Sequence, residues 1–133
     1  MIYIDSSVII AAYFPKDPHH DSALKVMEEL DDGIISVFGL AEIGGFLSRN
    51  SSPEESKQFI DDLSRLPKLN VWYSSDFKNF MNTVTELSVI KGLSGADSIH
   101  AVSALSVSEV DRIVTLDSDF TKISDMIDVK LLR

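Results

Sequence analysis

The chain has no cysteine, which excludes disulfide bridges, thiolate metal clusters and a cysteine nucleophile. Long apolar runs are missing too: no stretch approaches the ~18 residues of a membrane span, and the first residues lack the basic region and cleavage site of a secretory signal. A soluble, cytoplasmic protein without a membrane partner is the expectation. Basic residues are scarce, 12 Lys and Arg against 21 Asp and Glu, for a formal net charge of −9 and a pI near 4.6. That balance argues against a broad electrostatic grip on nucleic acid. It leaves nucleic acid open as a substrate, because a cation held by carboxylates reverses the sign of charge locally.

At 133 residues the chain has the size of one domain, and folding can bury roughly two-thirds of its unfolded surface. Strand-forming residues from Met1 stop at Asp5, and an apolar segment resumes after Ser6 and Ser7. The prolines between Pro15 and His20 make that stretch a loop. Asp21 to Asp32 places Ala23, Val26, Met27 and Leu30 at helical spacing, with Gly33 as its end. Ile34 to Phe38 reads as a buried strand and Gly39 to Asn50 as a helix. Ser52-Pro53-Glu54-Glu55 has the form of a capping box. Leu69 to Tyr73 is a third strand, and Ser74 and Ser75 are positioned to cap a long helix that Gly92 closes.

Leu93 to Val107 is helical by composition, Arg112 to Leu116 is a strand ending at Asp117, Ser118 to Met126 is a short helix and Val129 to Leu132 a last strand. Short strands alternating with helices, without repeats or linkers, predict one three-layer α/β domain over residues 1–133 with a parallel, doubly wound sheet.

Most acids need only solvent as an explanation. Four stand apart: Asp5 after a strand, Glu42 within Leu40-Ala41-Glu42-Ile43, Asp97 within Gly95-Ala96-Asp97-Ser98-Ile99, and Asp117 after a strand. All four are expected at strand C-termini or in the first turn of the next helix, where open α/β sheets bind ligands. Any one of them alone could be a helix cap worth ~0.5 to 2 kcal/mol. If they converge, two carboxylates ~5 to 8 Å apart repel by roughly 2 to 3 kcal/mol at an effective dielectric near 20. Against a stability of ~5 to 15 kcal/mol, several such pairs demand protonation or a cation. Oxygen ligands without Cys or His point to magnesium or manganese.

Ile4-Asp5-Ser6-Ser7-Val8, Leu40-Ala41-Glu42-Ile43, Ala96-Asp97-Ser98-Ile99-His100-Ala101 and Val114-Thr115-Leu116-Asp117-Ser118-Asp119-Phe120, in this order, resemble the PIN-domain ribonucleases. The resemblance is strongest to the small VapC-like toxins of toxin–antitoxin pairs and covers nearly the whole chain. It implies five parallel strands with helices on both faces, and a metal-dependent endoribonuclease. Asp5, Glu42, Asp97 and Asp117 match the family's catalytic, metal-binding acids, with one or two Mg2+ or Mn2+ ions. Asp119, Ser6 or Ser7, and Thr115 take supporting roles. RNA as substrate, an antitoxin protein and a homodimer are the implied partners. The sequence departs from the family's pattern at Gly39, where a hydroxyl is common, at Ser98, where an apolar residue is commoner, and at Gly44-Gly45.

Three alternatives compete: a catalytically inactive PIN-like binding module, an RNA-processing PIN nuclease without a dedicated antitoxin, and a carboxylate phosphotransferase with Asp5 as phosphoacceptor. The last lacks the second Asp expected two residues on, where Ser7 stands. Lys16, Lys91, Arg112 and Lys122 are the cations near the site in sequence. His19 and His20 point differently and lie in a loop, so ligation is not expected of them. His100, three residues after Asp97, shares its helical face, and packing is its favoured role over a supporting hydrogen bond. Trp72, Tyr73 and the phenylalanines are assigned to the core rather than to base stacking.

Overall fold

The structure, a computed structural model, describes all 133 residues. Five short strands form one all-parallel sheet: β1 (Ile2–Ile4), β2 (Gly33–Ser36), β3 (Leu69–Trp72), β4 (Arg112–Thr115) and β5 (Asp128–Leu131), in the order β3-β2-β1-β4-β5. Strand side chains alternate between faces, and the alternation divides the core in two. Ile4, Ile35 and Val114 face a cluster with Val8, Ile43 and Leu47 from α1 (Ser6–Tyr13) and α3 (Val37–Asn50), joined by Ala23 of α2 (His20–Glu28) and Leu63 of α4 (Pro53–Ser64). Tyr3, Ile34 and Ile113 face the other, with Val84 and Leu87 of α5 (Phe77–Lys91), Ala101 and Ala104 of α6 (Gly95–Leu105), and Phe120 and Ile123 of a 3₁₀ helix (Ser118–Ile123). The three-layer architecture expected from the alternation of elements is the one observed.

Several boundaries move, each for a local reason. Gly33 does not end the second helix: its N–H donates to Lys68 O at 2.8 Å, so it already belongs to β2. That strand stops at Ser36, not Phe38, because the Ser36 hydroxyl accepts the Gly39 N–H and caps α3 two residues earlier than the apolar run suggests. Ser52 caps α4 as expected, accepting from the Glu55 N–H with Pro53 in the first turn. The cap of α5 is Asp76, which accepts from Asn79 N, while Ser74 accepts the Asp76 N–H. Gly92 ends α5 at φ 68°, a left-handed conformation that glycine reaches without a Cβ clash.

Tyr73 and Phe77 correct the expectation of a core role: they are 73% and 70% exposed. β3 is an edge strand that ends at Trp72, so Tyr73 leaves the sheet, and Phe77 opens α5 beside it. Trp72 and Phe80 do pack together, with ring centroids 5.5 Å apart.

Candidate active site

In this strand order, β2 and β3 lie to one side of β1 and β4 and β5 to the other. The crevice at the carboxyl ends of β1 and β4 is therefore the switch point where open α/β sheets hold ligands. β1 and β4 pair with Ile4 opposite Val114, and the Asp5 N–H donates to Val114 O at 3.0 Å. Asp5 and Asp117, far apart in the chain, are thereby placed at the same end of neighbouring strands.

Asp5 sits at the N-cap position of α1, yet its carboxylate makes no capping bond. It is 5% exposed and is held instead by hydroxyls: Ser7 Oγ donates to Oδ2 at 2.7 Å and Thr115 Oγ1 donates to the same oxygen at 2.8 Å. Both hydroxyls also accept from the β4 end, Ser7 from Leu116 N–H at 3.3 Å and Thr115 from Asp117 N–H at 3.0 Å. Ser6 Oγ lies 3.1 Å from Glu42 Oε1 and 3.5 Å from Asp5 Oδ1, and having one proton it donates over the shorter distance. The two serines thus serve different acids.

Glu42 is the sixth residue of α3 and not in its first turn, a consequence of the early start of that helix. Its Oε1 takes both the Ser6 hydroxyl and His100 Nε2, while Oε2 has no partner in the chain. Burial pushes this carboxyl up, but the hydrogen bond and charge of His100 and the Ser6 hydroxyl outweigh it and hold Glu42 below its ordinary 4.5. Burial pushes the His100 imidazole down, but Glu42, Asp5 and Asp97 outweigh that and raise it above 6.5. His100 is fully buried, with Nε2 3.6 Å from Asp5 Oδ1. It packs, as expected, and also touches the site acids. The Asp97 to His100 spacing carried that signal; the Tyr3 hydroxyl behind it had none beyond being a polar tip in a central strand.

Asp97 lies in the first turn of α6, whose N-cap Ser94 accepts the Asp97 N–H at 3.1 Å. Asp117 caps the 3₁₀ helix by accepting from Asp119 N–H at 2.9 Å. One carboxylate oxygen each from Asp97, Asp117 and Asp119 lie within 4.8 Å of one another, an arrangement that could hold a metal ion. Asp119, expected only to support, joins this group. Burial first, then the charges of Asp117 and Asp5, raise the Asp97 carboxyl above its ordinary 3.8. Neighbouring Ser98 is fully buried and its hydroxyl has no hydrogen-bond partner, so an apolar residue there would cost less.

Cations are few. Arg112 is not at the site: it opens β4, at the strand's far end, and pairs with Asp128 at 2.5 Å. Lys91 pairs with Asp125 at 2.7 Å. Lys122 bonds Gly92 O at 3.2 Å and stands 3.6 Å from Asp119. His20 Nδ1 lies 2.9 Å from Ala11 O, which ties that side chain to the end of α1.

The sign of Asp97's shift sets a pH dependence. A carboxyl raised in the fold stabilises the protein below its unfolded value, and that contribution is lost as pH rises through the folded value. Ionised Asp97 is thus a burden on the protein that a cation held by the cluster would relieve. The thermal stabilisation produced by Mn2+ is expected to grow as pH rises through the raised Asp97 value, which thermal melts across the acidic range measure. A constant shift would remove Asp97 from the metal site.

The sequence matches the PIN domain family over residues 2–126. The chain belongs to the PIN domain family. No curated protein sequence matches it significantly. Among solved structures, this PIN domain is similar to VapC20 of Mycobacterium tuberculosis, described as a toxin that cleaves the sarcin-ricin loop. Identity is 16% and the TM-score 0.76, over 91% of this chain and 93% of that one. It is also similar to VapBC2 of Rickettsia felis bound to a promoter DNA fragment, at 19% identity, TM-score 0.71 and complete coverage of both chains. For VapBC-1 of nontypeable Haemophilus influenzae the values are 21%, 0.69 and 98% of each. At such identities the likeness establishes the PIN fold. No helix of this PIN domain is long and apolar enough to cross a membrane.

Proposed function

We propose that the chain, as one nuclease domain over residues 1–133, is a divalent-metal-dependent endoribonuclease and the toxin of a toxin–antitoxin pair. The observation that carries this reading is the cluster of Asp97, Asp117 and Asp119 beside the β1–β4 switch point of a PIN domain, with Asp97 raised by burial and then by the charges of Asp117 and Asp5. The oxygen-only donor set of Asp97, Asp117 and Asp119 fits a hard cation, Mg2+ or Mn2+, with Asp5 and Glu42 completing the site. One or two such ions, when bound, supply Lewis-acid polarisation of the scissile phosphate.

The chain's own residues do the rest. Ser7 and Thr115 fix the Asp5 carboxylate and tie it to the strand that carries Asp117. Ser6 and His100 hold Glu42 through Oε1, which leaves Oε2 free to accept a proton from the attacking water. Lys122, beside Asp119, offers positive charge at the edge where a phosphate approaches.

An antitoxin is part of the same reading, supported by the VapBC structures among the structural neighbours. A homodimer is also part of it. An apolar groove of about 540 Å³ lined by Val37, Phe38, Phe77, Phe80 and Ile99 is surface that a protein partner would cover.

The purified protein is expected to cut RNA in Mg2+ or Mn2+, to stop in EDTA, and to resume when metal is restored. A folded protein that binds no divalent ion and cuts no RNA would favour the inactive binding module instead.

A further inference from the structure

Behind Glu42 runs a buried chain of hydrogen bonds that begins on the central sheet. The Ser36 N–H donates to the Tyr3 hydroxyl oxygen at 3.2 Å, Tyr3 Oη lies 2.6 Å from His100 Nδ1, and His100 Nε2 meets Glu42 Oε1. Tyr3 and His100 are fully buried, and the imidazole is boxed edge-on by the rings of Tyr3 and Phe38, with centroids 5.8 and 6.0 Å away.

Counting protons along this chain fixes its direction at Glu42. An amide N–H only donates, so the Tyr3 oxygen accepts from Ser36, and its own proton goes to Nδ1 when that nitrogen is unprotonated and otherwise to a neighbouring hydroxyl of Ser36 or Ser103. Burial pushes the Tyr3 phenol well up, so that proton stays in place. A neutral ring whose Nδ1 accepts carries its proton on Nε2; a charged ring carries one on each nitrogen, with Nδ1–H then donating to the Tyr3 oxygen. In both states an N–H faces Glu42, whose carboxylate can only accept. The opposite tautomer would set a lone pair against that carboxylate.

We propose that His100 is a positioning residue of the site: its Nε2–H orients Glu42 beside Asp5, and Tyr3 with Ser36 orients His100. The role assigned to Glu42 rests on the nuclease reading above; the hydrogen-bond chain does not. Sheet and acidic centre are thereby linked by side chains from β1, α3 and α6, so the aim of Glu42 is set from the strand core as well as by its own helix. Partners of this kind, which hold a ligand rather than touch the metal, typically contribute 10- to 100-fold to metal affinity.

His100→Leu keeps apolar bulk and removes the donor, whereas the amide of His100→Gln restores an N–H near the Nε2 position. In calorimetric titration with Mn2+, His100→Leu is expected to bind about 10- to 100-fold more weakly than wild type and His100→Gln to recover most of the loss. Equal affinity in a folded His100→Leu overturns the proposal. Wild type that binds no Mn2+ would instead sink the nuclease reading.

Nuclear magnetic resonance of wild type with 15N-labelled histidine tests the bond without metal, even if His100→Leu does not fold. A protonated Nε2 whose proton resonance moves in Glu42→Gln is expected. An unprotonated Nε2, or a resonance indifferent to Glu42→Gln, overturns the proposal.

Discussion

Asp97→Asn is expected to yield a protein more stable than wild type in the absence of metal, yet at least about 100-fold weaker in Mn2+ affinity and RNA cleavage. The two effects have one origin. Asp97 is partly desolvated and faces the charges of Asp117 and Asp5, which is why its carboxyl is raised. Ionised, it strains the metal-free fold; Asn removes the charge while Ser94 still accepts the backbone N–H of residue 97, so the start of α6 is unaffected. The same charge is what a hard cation needs, and a neutral amide oxygen in the cluster with Asp117 and Asp119 replaces only part of it. Melting in EDTA, Mn2+ titration and cleavage of RNA measure the three quantities on one preparation. A variant that melts lower in EDTA than wild type, or that cleaves at the wild-type rate, would contradict this account of the site. Stability exchanged against function in this way is a common mark of a binding centre.

Gly39→Ala is expected to destabilise the protein by about 1 to 3 kcal/mol. A Cβ at this position would lie 2.7 and 2.8 Å from Cγ1 and Cδ1 of Ile35 and 3.2 Å from Cε1 of His100. Ile35 is fully buried and β-branched, so it has no free rotamer to retreat into. His100 is held at both nitrogens. The helix propensity gained by alanine, ~1 kcal/mol, offsets only part of the clash. Two glycines of the same helix supply the control. A Cβ on Gly44 meets nothing within 4 Å, and one on Gly45 meets only Arg49 Nη1 at 3.8 Å. Gly44→Ala and Gly45→Ala should each stabilise by up to about 1 kcal/mol. Urea denaturation of the three variants reads the opposite signs directly, and a stabilised Gly39→Ala would refute the packing argument. The absence of a side chain at Gly39 is thus tied first to the room Ile35 occupies and then to that of His100.

Legibility from sequence varied with the range of the interaction. The Ser52 cap and the Gly92 stop were readable because each depends on a few neighbouring residues. The five strands were readable because apolar runs between helices are local patterns as well. Boundaries failed where two local signals competed: Ser36 could continue a strand or cap a helix, and the hydrogen bond to Gly39 decided it. Tyr73 and Phe77 were misassigned because hydrophobicity does not say whether another element arrives to cover a side chain.

The sequence by itself determined the alternating elements, the layered architecture and the placing of acids near the ends of strands. Tertiary structure decided which groups those acids meet. Only the pairing of β1 with β4 sets Asp5 beside Asp117, and only that pairing lets Thr115 bond one carboxylate while accepting the backbone of the other. His100 became part of the site through contacts with Tyr3 and Glu42, residues 97 and 58 positions away. Local propensity acts over a few residues, whereas electrostatic repulsion, desolvation and hydrogen-bond direction depend on which distant groups the fold brings within a few ångströms.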